Sequence, residues 1–255
     1  MKVLDLFSGI GGFSLGLERA GMKTIAFCEI EPFCRKILKK HWPDTPIFKD
    51  IKELTVNDLP TKPDLICGGY PCQPFSVAGK QRGTEDNRHL WPEMFRLIKE
   101  CKPHWVICEN VAGHIKLGLD QMLSDLEAEG YTWEAFVIPA CAINAPHRRD
   151  RVWIVAHSEY NGPGNHETMA NASASRMQAR LPEQEQWEEG NPKKSNHGSD
   201  RPCWRQITDH WATEPDMDRV AHGIPNRVDR IKALGNSVVP QIPEIIGRFI
   251  LETRK

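Results

Sequence analysis

The sequence predicts an α/β fold with a doubly wound, mostly parallel sheet and a small lobe inserted late in the chain. Over residues 1–156, short apolar runs alternate with segments of helical periodicity, which is the pattern of consecutive βαβ units. Residues 157–218 are different, because they contain few aliphatic side chains and many Asn, Ser, Gly, Pro, Glu and Gln residues. This change in composition predicts an irregular insert between two parts of one folded domain.

Each element is predicted from a local pattern. Strands are predicted where a short apolar run stops at glycine or at an acidic residue, at 3–7, 24–28, 65–67, 105–108, 135–138 and 152–156. Helices are predicted where apolar residues recur every three or four positions, at 13–20, 32–40, 94–100, 119–129 and 242–252. Pro32 stands where a helix tolerates proline, and Gly130 supplies a stop signal.

Charge and composition exclude several classes of protein. The chain has 255 residues, with 33 Lys and Arg against 34 Asp and Glu, so no global basic field attracts it to nucleic acid. No apolar run approaches the ~20 residues of a membrane span, and the first residues do not resemble a signal peptide. None of the eight cysteines forms a C-x-x-C pair, so a zinc site is not predicted, and most read as buried side chains in a reducing compartment. Membrane, secreted and disordered classes are therefore disfavoured.

Two loops that follow predicted strands carry residues suited to chemistry. The glycine-rich sequence DLFSGIGGF, residues 5–13, leads into a helix and can bring a ligand close to the backbone, with Glu29 placed to accept hydrogen bonds from ribose hydroxyls. It does not match the dinucleotide fingerprint, and on its own it fits a tight structural turn. In GGYPCQPFS, residues 68–76, two prolines stiffen the backbone around Cys72, whose thiolate a helix N-terminus or an arginine would favour. Alone, Cys72 fits equally well as a turn cysteine with no role.

Three further motifs complete the set. Glu109, in the tripeptide ENV, ends an apolar strand, where an acid is costly to bury unless it is paired or used; the alternative is a helix N-cap. In HRRDR, residues 147–151, alternation along a strand predicts Arg149 and Arg151 on one face, although a solvated surface is the alternative. GNSVVP, residues 235–240, is predicted to be a loop before the last helix.

In this order, the five motifs resemble the ordered blocks of the DNA (cytosine-5-)-methyltransferases, over residues 1–156 and 219–255. The resemblance implies a Rossmann-like S-adenosylmethionine-binding catalytic domain at 1–156, a target-recognition insert at 157–218 and a C-terminal segment, 219–255, that returns to the catalytic domain. It also implies that Cys72 is the nucleophile, Glu109 the catalytic glutamate, and Arg149 and Arg151 the arginine pair. The implied S-adenosylmethionine-binding residues are Phe7, Gly9, Gly11, Glu29, Asp50, Ile51, Pro71, Leu90, Asn236 and Ser237.

The resemblance implies methyl transfer to carbon 5 of a cytosine flipped out of duplex DNA, without a metal. The thiolate adds to carbon 6 and makes carbon 5 nucleophilic, while Glu109 bonds ring nitrogen 3 and Arg149 the ring carbonyl. Arg151 is placed to orient Glu109 or the cysteine loop. S-adenosylhomocysteine is the implied product, duplex DNA the partner, and we expect a monomer in the cytoplasm of a bacterial cell or a phage-infected host.

Two departures from the family pattern leave alternatives open. His147 stands where the family more often has Gln, and the insert carries six Lys and Arg against eleven Asp and Glu, which opposes phosphate binding. Methylation of a structured RNA such as tRNA is one alternative function, and a silent DNA-binding or S-adenosylmethionine-sensing module is another. The sequence specifies neither the target site nor a companion restriction endonuclease. Lys193, Lys194, Arg201 and Arg205, or Lys80, Arg82 and Arg88, are candidate phosphate contacts.

Overall fold

The computed structural model describes residues 1–71, 90–116, 118–145, 147–158 and 227–253. The chain divides into two compact units. The described residues of the first are 1–71, 90–116, 118–138, 150–158 and 227–253, and those of the second are 139–145 and 147–149. Among the described motif residues, Arg149 belongs to the second unit and Glu29, Glu109 and Arg151 belong to the first; Cys72 lies outside the described residues.

One sheet of seven strands forms the centre of the first unit. The strands are β1 (Lys2–Leu6), β2 (Lys23–Cys28), β3 (Ile47–Phe48), β4 (Leu65–Gly68), β5 (Trp105–Val111), β6 (Tyr131–Pro139) and β7 (Asp150–Ser158). Their order in the sheet is β3-β2-β1-β4-β5-β7-β6. The pairs β1–β2, β1–β4, β2–β3 and β4–β5 are parallel, and β7 runs antiparallel to β5. The predicted doubly wound, mostly parallel sheet is confirmed.

Six α-helices accompany the sheet in the described part of the chain. They are α1 (Gly12–Arg19), α2 (Pro32–His41), α3 (Trp91–Cys101), α4 (Leu119–Ala128), α5 (Arg227–Asn236) and α6 (Gln241–Glu252). Proline occupies the first turn of α2 and of α3, where its missing N–H costs nothing. Lys102 ends α3 in the left-handed region, with φ 44°. None of the described helices is long and apolar enough to cross a membrane.

The core explains why the central strands read as continuous apolar runs. Leu4 and Leu6 of β1 and Ile66 of β4 are fully buried, as a parallel strand covered on both faces requires. Burying one such side chain contributes about 1.5–3 kcal/mol. Five cysteines, Cys28, Cys34, Cys67, Cys101 and Cys108, are buried free thiols, in agreement with the prediction, and Cys141 is exposed.

The C-terminal segment packs directly on α1. A Cβ atom added to Gly12 would lie 2.6 Å from the carbonyl oxygen of Val238, and one added to Gly16 would lie 2.1 Å from that of Pro240. On α6, a Cβ atom added to Gly247 would lie 2.9 Å from that of Ala20. Only glycine allows the two helices and the loop before α6 to approach this closely.

Two local predictions were wrong, and one strand was not predicted. No sequence pattern indicated β3, because a pair of residues is too short to show periodicity. Gly235 and Asn236 end α5 rather than forming a loop, and the loop begins at Ser237. Arg149 precedes β7 and has φ 40°, so alternation along a strand does not place it on one face with Arg151.

The contact at Gly16 can be tested by measuring stability. Gly16→Ala should lower the free energy of unfolding by about 1–3 kcal/mol or more, because its methyl group would overlap the Pro240 carbonyl. Gly235→Ala is the matched control, since a Cβ atom there meets nothing within 4 Å. Urea unfolding of both variants gives the comparison. Equal stability of Gly16→Ala and Gly235→Ala would contradict the packing of the C-terminal segment on α1.

Candidate active site

The glycine-rich turn joins β1 to α1 through three residues with positive φ. Phe7, Gly9 and Gly11 have φ values of 53°, 54° and 89°. A Cβ atom on Gly11 would lie 2.6 Å from the Trp42 ring, so this position needs glycine for space as well as for its backbone conformation. At Gly9 a Cβ atom would meet nothing within 4 Å, which leaves open space beside the backbone. The turn therefore presents an uncovered backbone at the start of a helix, which suits an anionic or polar ligand.

Glu29 fixes this turn from the end of β2. Its side-chain Oε2 accepts a hydrogen bond from the Gly9 N–H at 2.6 Å, and Oε1 accepts one from the Glu31 N–H at 2.7 Å. The residue is only 7% exposed. A carboxylate held by two backbone N–H groups keeps further lone pairs, so it can still accept hydrogen bonds from a ligand's hydroxyls.

Asp5 lies beneath the same turn and is fully buried. Its Oδ2 accepts hydrogen bonds from the Ser14 hydroxyl at 2.6 Å and the Ser14 N–H at 3.3 Å, which ties β1 to the first turn of α1. Its Oδ1 has no hydrogen-bond partner among the described residues. Burial raises the pKa of Asp5 to about 7, against the opposing effect of the Ser14 hydrogen bonds.

Asp50 and Ile51 follow β3, beside the end of β2. Asp50 Oδ1 accepts a hydrogen bond from the Lys52 N–H at 3.0 Å, and Ile51 is buried. Burial raises the pKa of the Cys28 thiol to about 12, and the carboxylates of Glu29 and Asp50 add to this shift. Ile30, which was not among the predicted residues, directly follows Glu29 and is 60% exposed.

The second half of the site lies where β4 and β5 end. Arg151 Nε on β7 pairs with Glu109 Oε1 on β5 at 2.9 Å, and both side chains are largely buried. A Cβ atom on Gly69 would lie 2.9 Å from Glu109 Oε2. Glu109 lies within β5, opposite Trp153 of β7, so it is not a helix N-cap. The carboxylate is therefore held between the Arg151 guanidinium and the backbone that leads to Pro71.

Asn110 and Tyr70 fix the backbone before Pro71. The Asn110 amide donates to the Tyr70 carbonyl oxygen at 3.2 Å, while its own oxygen accepts from the Val111 N–H at 2.9 Å. The Tyr70 hydroxyl donates to the Met122 sulfur at 3.1 Å, and its ring lies 5.5 Å from that of Trp91. These contacts reach α3 and α4, so the segment at 69–71 rests on the core.

The remaining predicted residues lie near the described site, in the second unit or outside the described residues. Leu90 is half-buried directly before α3, and Ser237 Oγ lies 3.2 Å from where a Cβ atom on Gly12 would be; Asn236 is exposed at the end of α5. Cys72 lies outside the described residues, and so do Lys80, Arg82, Arg88 and the insert from 159 onward. Arg149 belongs to the second unit. No group of three or more His, Cys, Asp or Glu residues that could hold a metal ion occurs in the described ranges.

Comparison with known proteins gives one family. A family model described as C-5 cytosine-specific DNA methylase matches residues 1–220. The type II methyltransferase M2.BsuMI of Bacillus subtilis is 38% identical over 165 residues, a match that covers 61% of this chain and 42% of that protein. M.AquIA of Picosynechococcus, also a type II methyltransferase, is 33% identical over 177 residues, which cover 61% of this chain and 71% of that protein. The chain thus spans less than half of the first relative.

The fold has solved counterparts. The crystal structure of a mutant DNMT2 from Spodoptera frugiperda aligns with a TM-score of 0.54 and 22% sequence identity. The match covers 66% of this chain and 53% of that one. At this identity the likeness shows the fold alone.

The buried carboxyl group predicts a pH-dependent stability. Because the pKa of Asp5 is raised to about 7 in the folded state, the folded protein binds more protons than the unfolded chain between about pH 4 and pH 7. The free energy of unfolding therefore falls as the pH rises through this window, by up to about 1.4 kcal/mol per pH unit, because folding keeps a proton on Asp5 that the unfolded chain releases. Asp5→Asn keeps an acceptor for Ser14 and should gain stability relative to the wild type as the pH rises from 5 to 8.

Urea unfolding of both proteins at pH 5, 6, 7 and 8 measures this difference. Asp120→Asn on the exposed surface of α4 is the control, and its difference from the wild type should not follow the same course. A constant difference between Asp5→Asn and the wild type across this range would show that Asp5 is ionised throughout.

The close approach at Gly69 predicts an effect on turnover with little effect on stability. In Gly69→Ala, the new methyl group displaces the end of the Glu109 side chain, which Arg151 holds from the other side. In a reaction that uses the Glu109 carboxylate, a displacement of this size should lower the turnover rate by about tenfold to a hundredfold. Gly113→Ala is the control, because a Cβ atom there meets nothing within 4 Å. Normal turnover in Gly69→Ala would argue against a role for this contact.

Proposed function

The chain belongs to the C-5 cytosine-specific DNA methylase family, and on that basis we propose that it transfers a methyl group from S-adenosylmethionine to carbon 5 of cytosine in duplex DNA. The observation that carries the proposal is the position of Glu109. Its carboxylate is held by Arg151 directly beside Gly69, three residues before Cys72. Cys72 follows the end of β4 by four residues in the sequence, and an acid at the end of the adjacent parallel strand β5 together with a cysteine in the loop after β4 suits addition to a pyrimidine ring.

The residues at the glycine-rich turn fit S-adenosylmethionine. Open space at Gly9 and the start of α1 suit the methionine moiety, Glu29 retains acceptor capacity for ribose hydroxyls, and Asp50 suits the adenine amino group. Exposed Ile30 offers an apolar surface to the adenine ring. Of the other predicted binding residues, Ser237 lies against the start of α1, and Phe7 supplies a turn in the left-handed region. When bound, S-adenosylmethionine supplies an electrophilic methyl group.

The protein's part in the reaction follows from the side chains. The Cys72 thiolate adds to carbon 6 of cytosine, which makes carbon 5 electron-rich. Glu109, with a proton on its carboxyl group, donates a hydrogen bond to ring nitrogen 3 and stabilises the charge that develops on the ring, and Arg151 holds the Glu109 carboxyl in place. Arg149 bonds the ring carbonyl oxygen. Once carbon 5 carries the methyl group that the cofactor would supply, a base takes the carbon-5 proton, the bond between carbon 6 and sulfur breaks, and Cys72 is released. The cytosine reaches this pocket only after it leaves the base stack.

The other cysteines support the assignment to Cys72. Burial raises the pKa of the Cys34 and Cys101 thiols to about 11 and that of Cys28 to about 12, and it raises the pKa of Cys67 and Cys108 well above the usual value of a thiol. These five thiols are therefore poor sources of thiolate at neutral pH. The described residues thus offer only exposed Cys141 as a competitor, and it belongs to the second unit.

We further propose that residues 157–218 carry target recognition, with residues 219–255 returning to the catalytic domain. The support is the change in composition at 157 and the packing of α6 on α1. Duplex DNA is then the partner, and phosphate contacts come from local basic residues because the net charge of the chain is −1.

Replacement of the nucleophile tests the reaction. Cys72→Ser should abolish methyl transfer, by at least ~10³-fold, and should leave S-adenosylhomocysteine binding near the wild-type level, because the thiol only borders the cofactor. Cys141→Ser is the matched control and should keep full activity. Bisulfite sequencing of DNA from cells that express each variant gives activity and target together, and calorimetry gives cofactor binding. Normal methylation by Cys72→Ser would refute the nucleophile assignment.

A second assay, with the wild-type protein, discriminates between DNA and RNA as the substrate. Tritiated methyl transfer from S-adenosylmethionine is measured with duplex DNA and with total tRNA. Incorporation into DNA alone supports the proposal, and incorporation into tRNA alone would replace it with RNA methylation. Binding of S-adenosylhomocysteine with no transfer to either substrate would indicate a sensing module.

A further inference from the structure

The turn that carries Asp50 is held by very few contacts of its own. The Asp50 carbonyl oxygen accepts the N–H groups of Glu53 and Leu54, each at 3.2 Å, and Asp50 Oδ1 accepts that of Lys52. Ile51 and Leu54 are 4% and 2% exposed, so their backbone carbonyls lie close to the core and need donors. No donor in the described part of the chain contacts Asp50 Oδ2, which leaves that oxygen for a ligand.

Arg96 of α3 supplies those donors. Its Nη2 donates to the carbonyl oxygens of both Ile51 and Leu54, each at 2.9 Å. Its Nε donates to Glu93 and its Nη1 to Glu100, each at 3.0 Å, so the orientation of the guanidinium is fixed from its own helix. A rigid, planar group held in this way fixes the position of the two carbonyls, whereas lysine would offer only a flexible point charge.

We infer that Arg96 is a positioning residue for adenine recognition: through the carbonyls of Ile51 and Leu54 it sets where the Asp50 carboxylate lies. The inference rests on the proposed function, because Asp50 acts on adenine only if the chain binds S-adenosylmethionine. Arg96 touches neither the ligand site nor the turn's side chains with its own hydrogen bonds. Its effect therefore passes through backbone geometry, and it should alter the choice of base more than the rate of chemistry.

The chain contains a matched arginine for comparison. Arg248 of α6 also bonds a glutamate on its own helix, Glu244 at 2.8 Å, and a backbone carbonyl of another element, that of Arg19 at 3.3 Å. Arg19 is the last residue of α1, so this contact lies at the end of the helix opposite to the glycine-rich turn. Substitution of Arg248 removes an arginine with the same two kinds of partner, at a more exposed position, without touching the Asp50 turn.

The experiment compares Arg96→Met and Arg96→Lys with Arg248→Met in the full chain. Calorimetry measures binding of S-adenosylhomocysteine and of S-inosylhomocysteine, in which a carbonyl oxygen replaces the amino group of adenine. The wild type should favour the adenosyl compound, because a carboxylate accepts from an amino group and repels a carbonyl oxygen. Arg96→Met should bind the adenosyl compound about tenfold more weakly and lose most of this preference. The reason is that the Arg96 guanidinium no longer holds the carbonyls of Ile51 and Leu54, so the Asp50 carboxylate is no longer fixed beside the amino group.

Turnover separates positioning from general damage. At saturating S-adenosylmethionine, Arg96→Met should keep kcat within about twofold while KM for the cofactor rises about tenfold, and Arg248→Met should change neither. Arg96→Lys should lie between Arg96→Met and the wild type, and it decides the question if Arg96→Met does not fold.

Three results would overturn the inference. One is an unchanged preference for the adenosyl compound in the Arg96 variants, and another is an equal loss of affinity for both compounds together with an equal fall in kcat. The third is a wild type that binds neither compound, and this result alone would also refute the proposed cofactor. A wild type that binds the adenosyl compound alongside variants that keep its preference would overturn the role of Arg96 and leave the proposed function intact.

Discussion

Parallel pairing of β1 with both β2 and β4 determines where the candidate site lies. The chain runs outward from β1 through β2 to β3 and then returns to the other side of β1 as β4, so the strand order reverses there. Parallel strands end at one edge of the sheet, and ligands bind where the order reverses. The glycine-rich turn, Glu29 and the Gly69–Pro71 segment therefore all leave the sheet at the same edge. The antiparallel β7 then brings Arg151 across to Glu109.

Three carboxyl groups at this edge have different environments and suit different tasks. Asp5 is sealed from water and tied to Ser14, which suits a structural link between β1 and α1. Glu29 is held by two backbone N–H groups, an environment that keeps it an acceptor. Glu109 is paired with an arginine and faces a glycine backbone, which leaves it available to a base brought alongside. Environment rather than residue type separates these functions.

The sequence predicted most of the sheet because a strand buried on both faces is a continuous apolar run, as at 65–67 and 105–108. It also identified Glu29 and Glu109, because an acid at the end of such a run is conspicuous. It could not identify the hydrogen bonds of Arg96 to the Asp50 turn or the close approach of Gly69 to Glu109. Both depend on packing between elements that are distant in the sequence. Arg149 was placed on a strand face because sequence patterns do not show a left-handed backbone at a non-glycine residue.

The central claim is that Cys72 forms a covalent bond with cytosine beside Glu109. Duplex DNA that contains 5-fluorocytosine tests this directly, because fluorine replaces the carbon-5 proton whose loss releases the enzyme. Random-sequence duplexes of this kind are incubated with the protein and S-adenosylmethionine, and the adduct is located by peptide mass spectrometry. The account predicts a stable, methylated adduct on Cys72. An adduct on another cysteine, or turnover on ordinary cytosine with no trapped adduct on the fluorinated duplex, would contradict it.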